Sequence, residues 1–247
     1  MFISFKNRWV KDGKSKFEGD YPDQCTALED ACKQGIRFEN TCFQGADLRR
    51  GQFTPEKIGS VFWDCDFTDA ILVEAGLTAA GFQDSCLHRT NFIAANLAMA
   101  QFQGASLRYT KFQAANLYRA RLVDCDMTGA TFQGANLHDA EFAPKQGTFE
   151  ASQIFDVPRD ETLLQQVCEV VVQRGALAEG YIFDRDSVPG QKLTLQGWIV
   201  HLSNGGRFLE SVTSTSVAGA ILLPEASHMF FRHHTSVLAW CHEQLGK

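Results

Sequence analysis

Apolar side chains recur at every fifth position through the middle of this chain. From Phe62 to Phe142 each fifth residue is phenylalanine, leucine or methionine, and a small residue stands two positions before almost every one. A period of five fits neither the 3.6-residue period of an amphipathic helix nor the two-residue period of a half-buried strand. The pattern predicts a backbone that turns a corner every five residues and stacks on itself as a solenoid. Large side chains would fill its narrow interior and leave room only for small ones beside them.

The same period begins before Phe62 and slips once. Its earlier centres are Phe38, Phe43, Leu48, Phe53 and Ile58. Phe62 follows Ile58 by only four residues. We interpret the slip near Pro55 as an irregular corner, since proline cannot donate to a strand ladder. A protruding loop that contacts a partner is the alternative.

Four repeats per coil would give the rod four sides. Phenylalanine then falls mainly on two opposite sides and leucine on the other two, although any even number of sides gives the same separation. The 22 centres would make roughly five and a half coils, a rod about 26 Å long at the usual strand spacing. An Asp or Asn precedes many centres and is expected to accept a backbone hydrogen bond at the corner.

Residues 1–35 are predicted to form an N-terminal cap. The first part reads as a short hairpin with a turn at Asp12–Gly13. A helix follows, with Asp23 as its N-cap and Gly35 just beyond its end. Solenoid ends expose unpaired strand edges and an open core, so a plug of this kind is physically expected.

The repeats end after Phe142, where Ala143–Gly147 breaks the period. Residues 36–144 are therefore assigned to the solenoid and residues 145–247 to a small, mostly helical C-terminal domain. Within that domain the apolar pattern predicts helices at 161–174, 195–202, 208–212, 217–222 and 236–245.

Ala-Asn-Leu at 95–97, 115–117 and 135–137 and Ala-Asp-Leu at 46–48 resemble the pentapeptide-repeat family. The resemblance covers about residues 36–142 and implies a mainly β fold, a right-handed quadrilateral parallel β-helix. Residues 27–35 are similar to the helical lead-in of phage and prophage members. The segment at Gly197–Trp198 resembles a helical tail of some phage repeat proteins, but the Cys and His that often precede it there are replaced by residues 194–196.

Composition points to a reduced, cytoplasmic protein. No apolar run is long enough for a signal peptide or a membrane span. Of the eight cysteines, Cys65 and Cys125 stand where the repeats need a small apolar side chain. The net charge of -6 argues against direct nucleic-acid binding.

The sequence shows no enzyme motif. It contains neither a nucleophile elbow nor a phosphate-binding glycine loop, so we expect no catalysis and no cofactor. A run of metal-type side chains near the C-terminus comprises His228, His233, His234, Cys241 and His242. Their spacing matches no structural zinc motif, and no metal is expected.

Function is therefore expected on the outer surface of the rod. In the second position after successive centres of one side stand Asp64, Asp84, Gly104 and Asp124, which predicts an acidic stripe. A basic and aromatic patch is predicted from Arg108, Tyr109, Lys111, Tyr118, Arg119 and Arg121. Over residues 36–142 the chain has 12 acidic and 9 basic residues.

The resemblance implies a non-catalytic protein-binding module. Some quinolone-resistance members of the family are DNA mimics that bind type II topoisomerases, so a modulator of DNA gyrase is the most concrete form of this reading. The alternative is a phage or prophage accessory or structural protein whose C-terminal domain makes the specific contact. The oligomeric state is open, with a homodimer as one option, and the partner itself is not named by the sequence.

Overall fold

The computed structural model describes residues 1–6, 17–54, 61–154, 162–174, 195, 199–200, 203, 215–230, 232 and 234–246. Three predicted features lie outside these residues. They are the turn at Asp12–Gly13, the register slip at Pro55 and the helix at 208–212. The predicted helix at 195–202 falls within them only in part.

The repeats form a β-solenoid in which one coil stacks on the next. Isolated parallel bridges join residues twenty apart, such as Ile71 and Asn91 or Asn96 and Asn116. Between coils, the Leu72 N–H donates to the Asn91 carbonyl (2.8 Å) and the Asn91 N–H donates to the Ala70 carbonyl (2.9 Å). Within the described residues, extended strand pairing of coils is confined to β3 (Arg121–Cys125) and β4 (Glu141–Pro144), which run parallel.

The first coil is longer than the others. Its bridges join residues 24 apart, as in Asp47 to Ile71, whereas Val61 to Gly81 already shows the regular spacing of twenty. Phe62 stacks on Phe38 with ring centroids 6.1 Å apart, so Phe62 begins the second coil. Ile58, which the sequence predicts as a centre, lies outside the described residues.

Two columns of phenylalanine rings fill the interior. Phe82 stacks on Phe102 (5.3 Å, 8°) and Phe92 stacks on Phe112 (5.4 Å, 5°). The two columns meet edge to face, as between Phe102 and Phe112 at 5.8 Å and 83°. These rings are completely buried. The predicted segregation of phenylalanine onto two facing sides is thereby confirmed, and offset or edge-on ring packing is what aromatic quadrupoles favour.

Each corner is a backbone turn held by local hydrogen bonds. The Ala75 N–H donates to the carbonyl of the centre Leu72 (3.2 Å), and Glu74 between them has φ of 58°. Positive φ at the third residue is what a type II turn requires. The predicted Asp and Asn contacts are also confirmed: the Asn91 side chain accepts from the Ile93 N–H at 3.1 Å.

Some of the small interior side chains satisfy backbone carbonyls of the coil below. The Thr90 hydroxyl donates to the Phe67 carbonyl (2.8 Å), and the Cys125 thiol donates to the Phe102 carbonyl (2.9 Å). Both side chains are fully buried. Burial also raises the pKa of the Cys125 thiol, so it is a neutral packing group.

An N-terminal hairpin and helix cover the first coil. Strands β1 (Phe2–Phe5) and β2 (Phe17–Asp20) are antiparallel, and α1 spans Gln24–Lys33. The Asp23 side chain accepts from the Thr26 N–H at 2.7 Å, which caps the helix. Phe5 packs edge-on against Phe38 at 5.5 Å and extends the aromatic interior into the cap.

Helices close the other end of the rod. Their bounds are α2 (Leu163–Arg174), α3 (Thr215–Leu222) and α4 (His234–Gln244), with 3₁₀ turns at Ala151–Gln153 and Pro224–Met229. The Ser216 hydroxyl accepts from the Phe142 N–H (3.0 Å) and donates to the Ala140 carbonyl (2.9 Å), so α3 begins on the last coil. One cluster of buried apolar side chains runs from Ile3 through the coils to Cys241.

The corner geometry yields a stability prediction with opposite signs at neighbouring residues. Ala114 has φ of 56°, where a Cβ costs about 1–2 kcal/mol and glycine has no such cost. We expect Ala114→Gly to raise the free energy of unfolding by about 0.5–1 kcal/mol. Ala115 is buried, and Ala115→Gly should lower it by about 1–2 kcal/mol, because a buried methyl is lost and the unfolded chain gains freedom.

Urea denaturation with an unchanged slope measures both effects. Ala114 and Ala115 are adjacent residues of the same coil, so local unfolding of that coil affects both variants alike. If both substitutions destabilise the protein equally, the turn geometry assigned to the corner is wrong.

Candidate interaction surface

Outward side chains form columns, because the residues at n and n+20 lie one above the other. Asp64, Asp84, Gly104 and Asp124 share one such column, which we call the acidic column. A Cβ on Gly104 would lie only 2.2 Å from Asp84 Oδ1, so the Asp84 carboxylate leans over the glycine. All four residues have φ between 51° and 74° and occupy the corner of their coil. The structure thus brings the predicted acidic residues together.

The last member of the acidic column contacts the C-terminal segment. Arg232, which lies between the second 3₁₀ turn and α4, donates through Nη2 to Asp124 Oδ1. The Arg232 Nε also donates to the His228 carbonyl (3.4 Å). About half of each ion-pair side chain is exposed, so the contact neutralises Asp124 while leaving it at the surface. No pattern in the sequence predicts this pairing, which joins residues more than 100 positions apart.

The predicted basic and aromatic patch is divided by the fold. Residues ten apart lie half a coil from one another, on opposite sides of the rod. Arg108, Tyr109 and Lys111 occupy one side. Tyr118, Arg119 and Arg121 occupy the other. The six residues are neighbours in sequence and do not form one surface.

The first half of the patch centres on an exposed tyrosine. Tyr109 keeps 49% of its surface accessible and lies over Gly129, where a Cβ would be 2.5 Å from the Tyr109 ring. The His88 ring is 5.6 Å from it in the coil below. Arg108 pairs with Asp126 at 3.5 Å. An aromatic side chain with adjacent cations of this kind is typical of protein interfaces.

The second half of the patch, Tyr118, Arg119 and Arg121, makes more contacts with neighbouring residues of the rod. The Arg119 guanidinium lies 4.9 Å from the centroid of the Tyr118 ring and pairs with Asp139 at 3.4 Å. Arg121 pairs with Glu141 at 2.7 Å in the next coil. These cations are balanced locally, so this side offers hydrogen bonds and ring surface more than net charge.

Arginine side chains, most of them in a neighbouring coil, pair with many of the carboxylates of the rod. Seven carboxylates are paired with arginine: Asp47, Asp69, Glu74, Asp124, Asp126, Asp139 and Glu141. The bidentate contact of Arg89 with Asp69, at 2.6 and 2.7 Å, has the geometry that carboxylates and guanidinium groups prefer. The negative field is therefore not a continuous run like that of a duplex backbone.

Two exposed apolar side chains of the rod were not predicted as part of its surface. Trp63 is 45% exposed and Met99 is 44% exposed. Trp63 lies one position after a centre and extends over Gly81, where a Cβ would be 3.0 Å from its indole nitrogen. The sequence contains the signal, because a residue one position after an interior centre points outward, and Trp63 follows the centre Phe62.

The structure describes the run of metal-type side chains near the C-terminus only in part. In the described part of the chain no group of three or more His, Cys, Asp or Glu side chains is placed to hold a metal ion. The His228 ring packs edge-on against Trp240 at 5.8 Å, and burial lowers its pKa. His233 lies outside the described residues.

A family model for pentapeptide repeats matches residues 85–122 and 110–143, with eight copies. This part of the chain consists of pentapeptide repeats. The family match covers the coils in which the twenty-residue bridges are regular. No curated protein matches the chain in sequence.

Several solved structures are similar to this one. HetL, involved in heterocyst differentiation regulation in the cyanobacterium Nostoc sp. strain PCC 7120, is 28% identical, with 42% of this chain and 50% of HetL covered and a TM-score of 0.37. A thylakoid-lumen protein of Arabidopsis thaliana is 20% identical over 68% of this chain and 89% of its own, with a TM-score of 0.32. A trypsin-treated variant of QnrB1, a plasmid-mediated fluoroquinolone resistance protein, is 26% identical over 46% and 64%, with a TM-score of 0.24. The match to HetL spans half of that protein.

The pentapeptide-repeat rod and its described flanks include no helix of the length and apolar character needed to cross a membrane.

The ion pair between Asp69 and Arg89 predicts a pH-dependent contribution to stability. The Arg89 hydrogen bonds lower the pKa of Asp69, so the pair stabilises the fold above the ordinary aspartate pKa of about 3.9 and stops doing so as pH falls through the lowered value. We expect Arg89→Gln to melt below the unsubstituted protein at neutral pH, with the difference shrinking as the solution is acidified below about pH 4.

Thermal melts from pH 7 to pH 2 measure this. Lys111→Gln is the matched control, because it removes a cation for which the described residues provide no ion pair. A difference between the Arg89→Gln variant and the unsubstituted protein that stays constant down to pH 2 would contradict the assignment.

Proposed function

We propose that this protein is a non-catalytic protein-binding module whose partner contacts the outside of the rod. The observation that carries the proposal is the filled interior. Rings such as Phe82, Phe102 and Phe112 stack at van der Waals distance along it, so the coils hold no internal cleft for a substrate. Only the outward columns of the repeats are then available to bind another molecule.

The proposal includes a finer description of the rod. We take the coil to be a right-handed quadrilateral β-helix, with four repeats per coil as its twenty-residue bridges require. Such a rod is stiff, since each coil is hydrogen-bonded to two others. A stiff surface costs little conformational entropy on binding, which favours recognition by many modest contacts along its length.

The most concrete form of the proposal is a cytoplasmic modulator of DNA gyrase or a related type II topoisomerase. DNA mimicry needs negative charge at regular spacing, and Asp64 and Asp84 provide two carboxylates one coil apart, close to the spacing of strands. Gly104 interrupts this acidic column, and Arg232 neutralises Asp124 at its end. The mimic would therefore be short and would act through the part of the column that includes Asp64 and Asp84.

A supercoiling assay tests this form. Micromolar protein is expected to change the rate at which gyrase supercoils relaxed plasmid. The Asp64→Asn, Asp84→Asn double variant should reduce that effect roughly tenfold or more, since each carboxylate at an interface centre contributes about 1 kcal/mol or more. Asparagine tolerates positive φ, so the corners remain intact.

The matched control is the Asp69→Asn, Asp139→Asn double variant. It removes the same number of carboxylates from positions already balanced by Arg89 and Arg119. Equal loss in both variants would mean that general charge and not the acidic column is responsible. Unchanged gyrase activity with the unsubstituted protein would remove the gyrase form and leave the binding module.

A second candidate is favoured by the way the helices seat on the rod. Because α3 bonds to the last coil through Ser216, the C-terminal helices could present a specific contact while the rod acts as a spacer, as in a phage accessory or structural protein. Affinity capture from host lysate would separate the two. Loss of the captured protein with His242→Ala, Glu243→Ala on the exposed side of α4, and not with the aspartate variants, supports the second candidate.

A further inference from the structure

One side of the rod has its charges sorted into two halves. The interior centres of this side are Phe67, Leu87, Leu107 and Met127, and we call it the Leu107 side. In the half that includes the acidic column, the outward repeat positions carry no basic residue and five carboxylates, Asp64, Asp66, Asp84, Asp124 and Asp126. In the other half, the outward positions carry one carboxylate, Asp69, together with His88, Arg89, Arg108 and Tyr109. The side is therefore acidic along one edge and mainly basic and aromatic along the other.

Corner residues bound the Leu107 side on both edges. Asp84 and Arg89 stand at the two corners of one coil, with φ of 57° and 55°. Gly104 and Tyr109 stand at the corresponding corners of the next coil, with φ of 74° and 56°. Each coil thus places a residue of the acidic column on one edge and a residue of the Tyr109 column on the other, at the same height along the rod.

The Asp84 carboxylate reaches the height of the next coil. It leans over Gly104, which has no side chain of its own, and Asp84 remains exposed. At that height the other half of the side presents Arg108 and the half-exposed Tyr109. Asp84 has no ion pair within the described residues, and the 3.5 Å pair of Arg108 with Asp126 leaves most of the five guanidinium N–H donors unused. An anion and a cation with donors to spare therefore lie at one height in opposite halves.

We propose that two copies of this chain associate through the Leu107 side, with their rods parallel. A two-fold axis along the rod brings the two sides face to face and exchanges their edges, so the acidic half of each copy faces the basic half of the other. The rotation leaves heights unchanged. Asp84 of each copy then meets Arg108 and Tyr109 of the other, and this contact occurs twice. A two-fold axis across the rod would instead place the acidic halves against each other.

The size and charge of the Leu107 side set the strength of this association. Four coils at about 4.8 Å each give a narrow contact, smaller than the roughly 800 Å² per partner of a standard interface. We therefore expect a dissociation constant on the order of 100 μM, and a strong dependence on salt because the contact is made largely by charges. Tyr109 adds the kind of aromatic contact in which interfaces are enriched. The dimer covers Asp84, so it would compete with the gyrase contact proposed above, but it requires no gyrase to form.

Sedimentation equilibrium of the full chain, from micromolar to millimolar concentrations, tests the proposal. At low salt the mass should rise from that of one chain to that of two, and high salt should restore the single chain. Asp84→Arg and Arg108→Glu should each weaken the dimer at least about tenfold, because like charges then meet twice. The Asp84→Arg, Arg108→Glu double variant should recover the dimer, since it exchanges the two partners. Arginine fits the corner, as Arg89 and Arg119 have φ of 55° and 56°.

Glu74→Arg is the matched control. It makes the same charge reversal at a corner with φ of 58°, half a coil from the acidic column, and should leave the dimer unchanged. Thermal melts check that each variant is folded, and the salt response of the unsubstituted protein decides the matter even if a variant fails to fold. A single chain at every concentration, a dimer that persists at high salt, or a double variant as weak as the single ones would each overturn the proposal. Because no gyrase is present, none of these outcomes bears on the proposed function.

Discussion

This structure depends on the match between two distances, that between stacked phenylalanine rings and that between hydrogen-bonded strands. In the regular coils from Phe62 to Phe132 the stacked phenylalanines have centroid distances of 5.0–5.4 Å, close to the roughly 4.8 Å between hydrogen-bonded strands. The ring stack and the hydrogen bonds between coils can therefore repeat at the same distance, one layer per coil, without strain. A larger interior side chain at the small positions would break both at once, because the interior has no slack. This explains why alanine, serine, threonine and cysteine alternate with the large residues so strictly.

The same match fixes the outer surface into columns, and columns raise an electrostatic problem. A charge at one coil faces its counterpart about 5 Å away on the next, where like charges destabilise and opposite charges stabilise. Several columns place an arginine beside a carboxylate, as in Asp69 below Arg89 and Arg121 below Glu141. The acidic column is different, because it places Asp84 one coil after Asp64.

Much of the solenoid was open to prediction from the sequence. The period, the small positions, the corner aspartates and asparagines and the Asp23 cap all depend on short-range geometry that repeats. What failed were inferences across the coil. Arg108 and Arg119 were grouped because they are eleven residues apart, whereas half a coil is ten residues and puts them on opposite sides.

The end of the rod could not be predicted, because nothing in the repeats specifies what covers it. A solenoid is stabilised by nearest-neighbour contacts, so its last coil lacks one partner and opens first. Here Gln153 donates to the Met127 and Ala130 carbonyls, both at 2.7 Å, and Ser216 occupies the edge of β4. These side chains replace the missing coil with hydrogen bonds from single residues. A cap of this kind is only as firm as the elements that carry it, and the elements in contact with β4 are α3 and the second 3₁₀ turn, so their seating governs how firmly the last coil is closed.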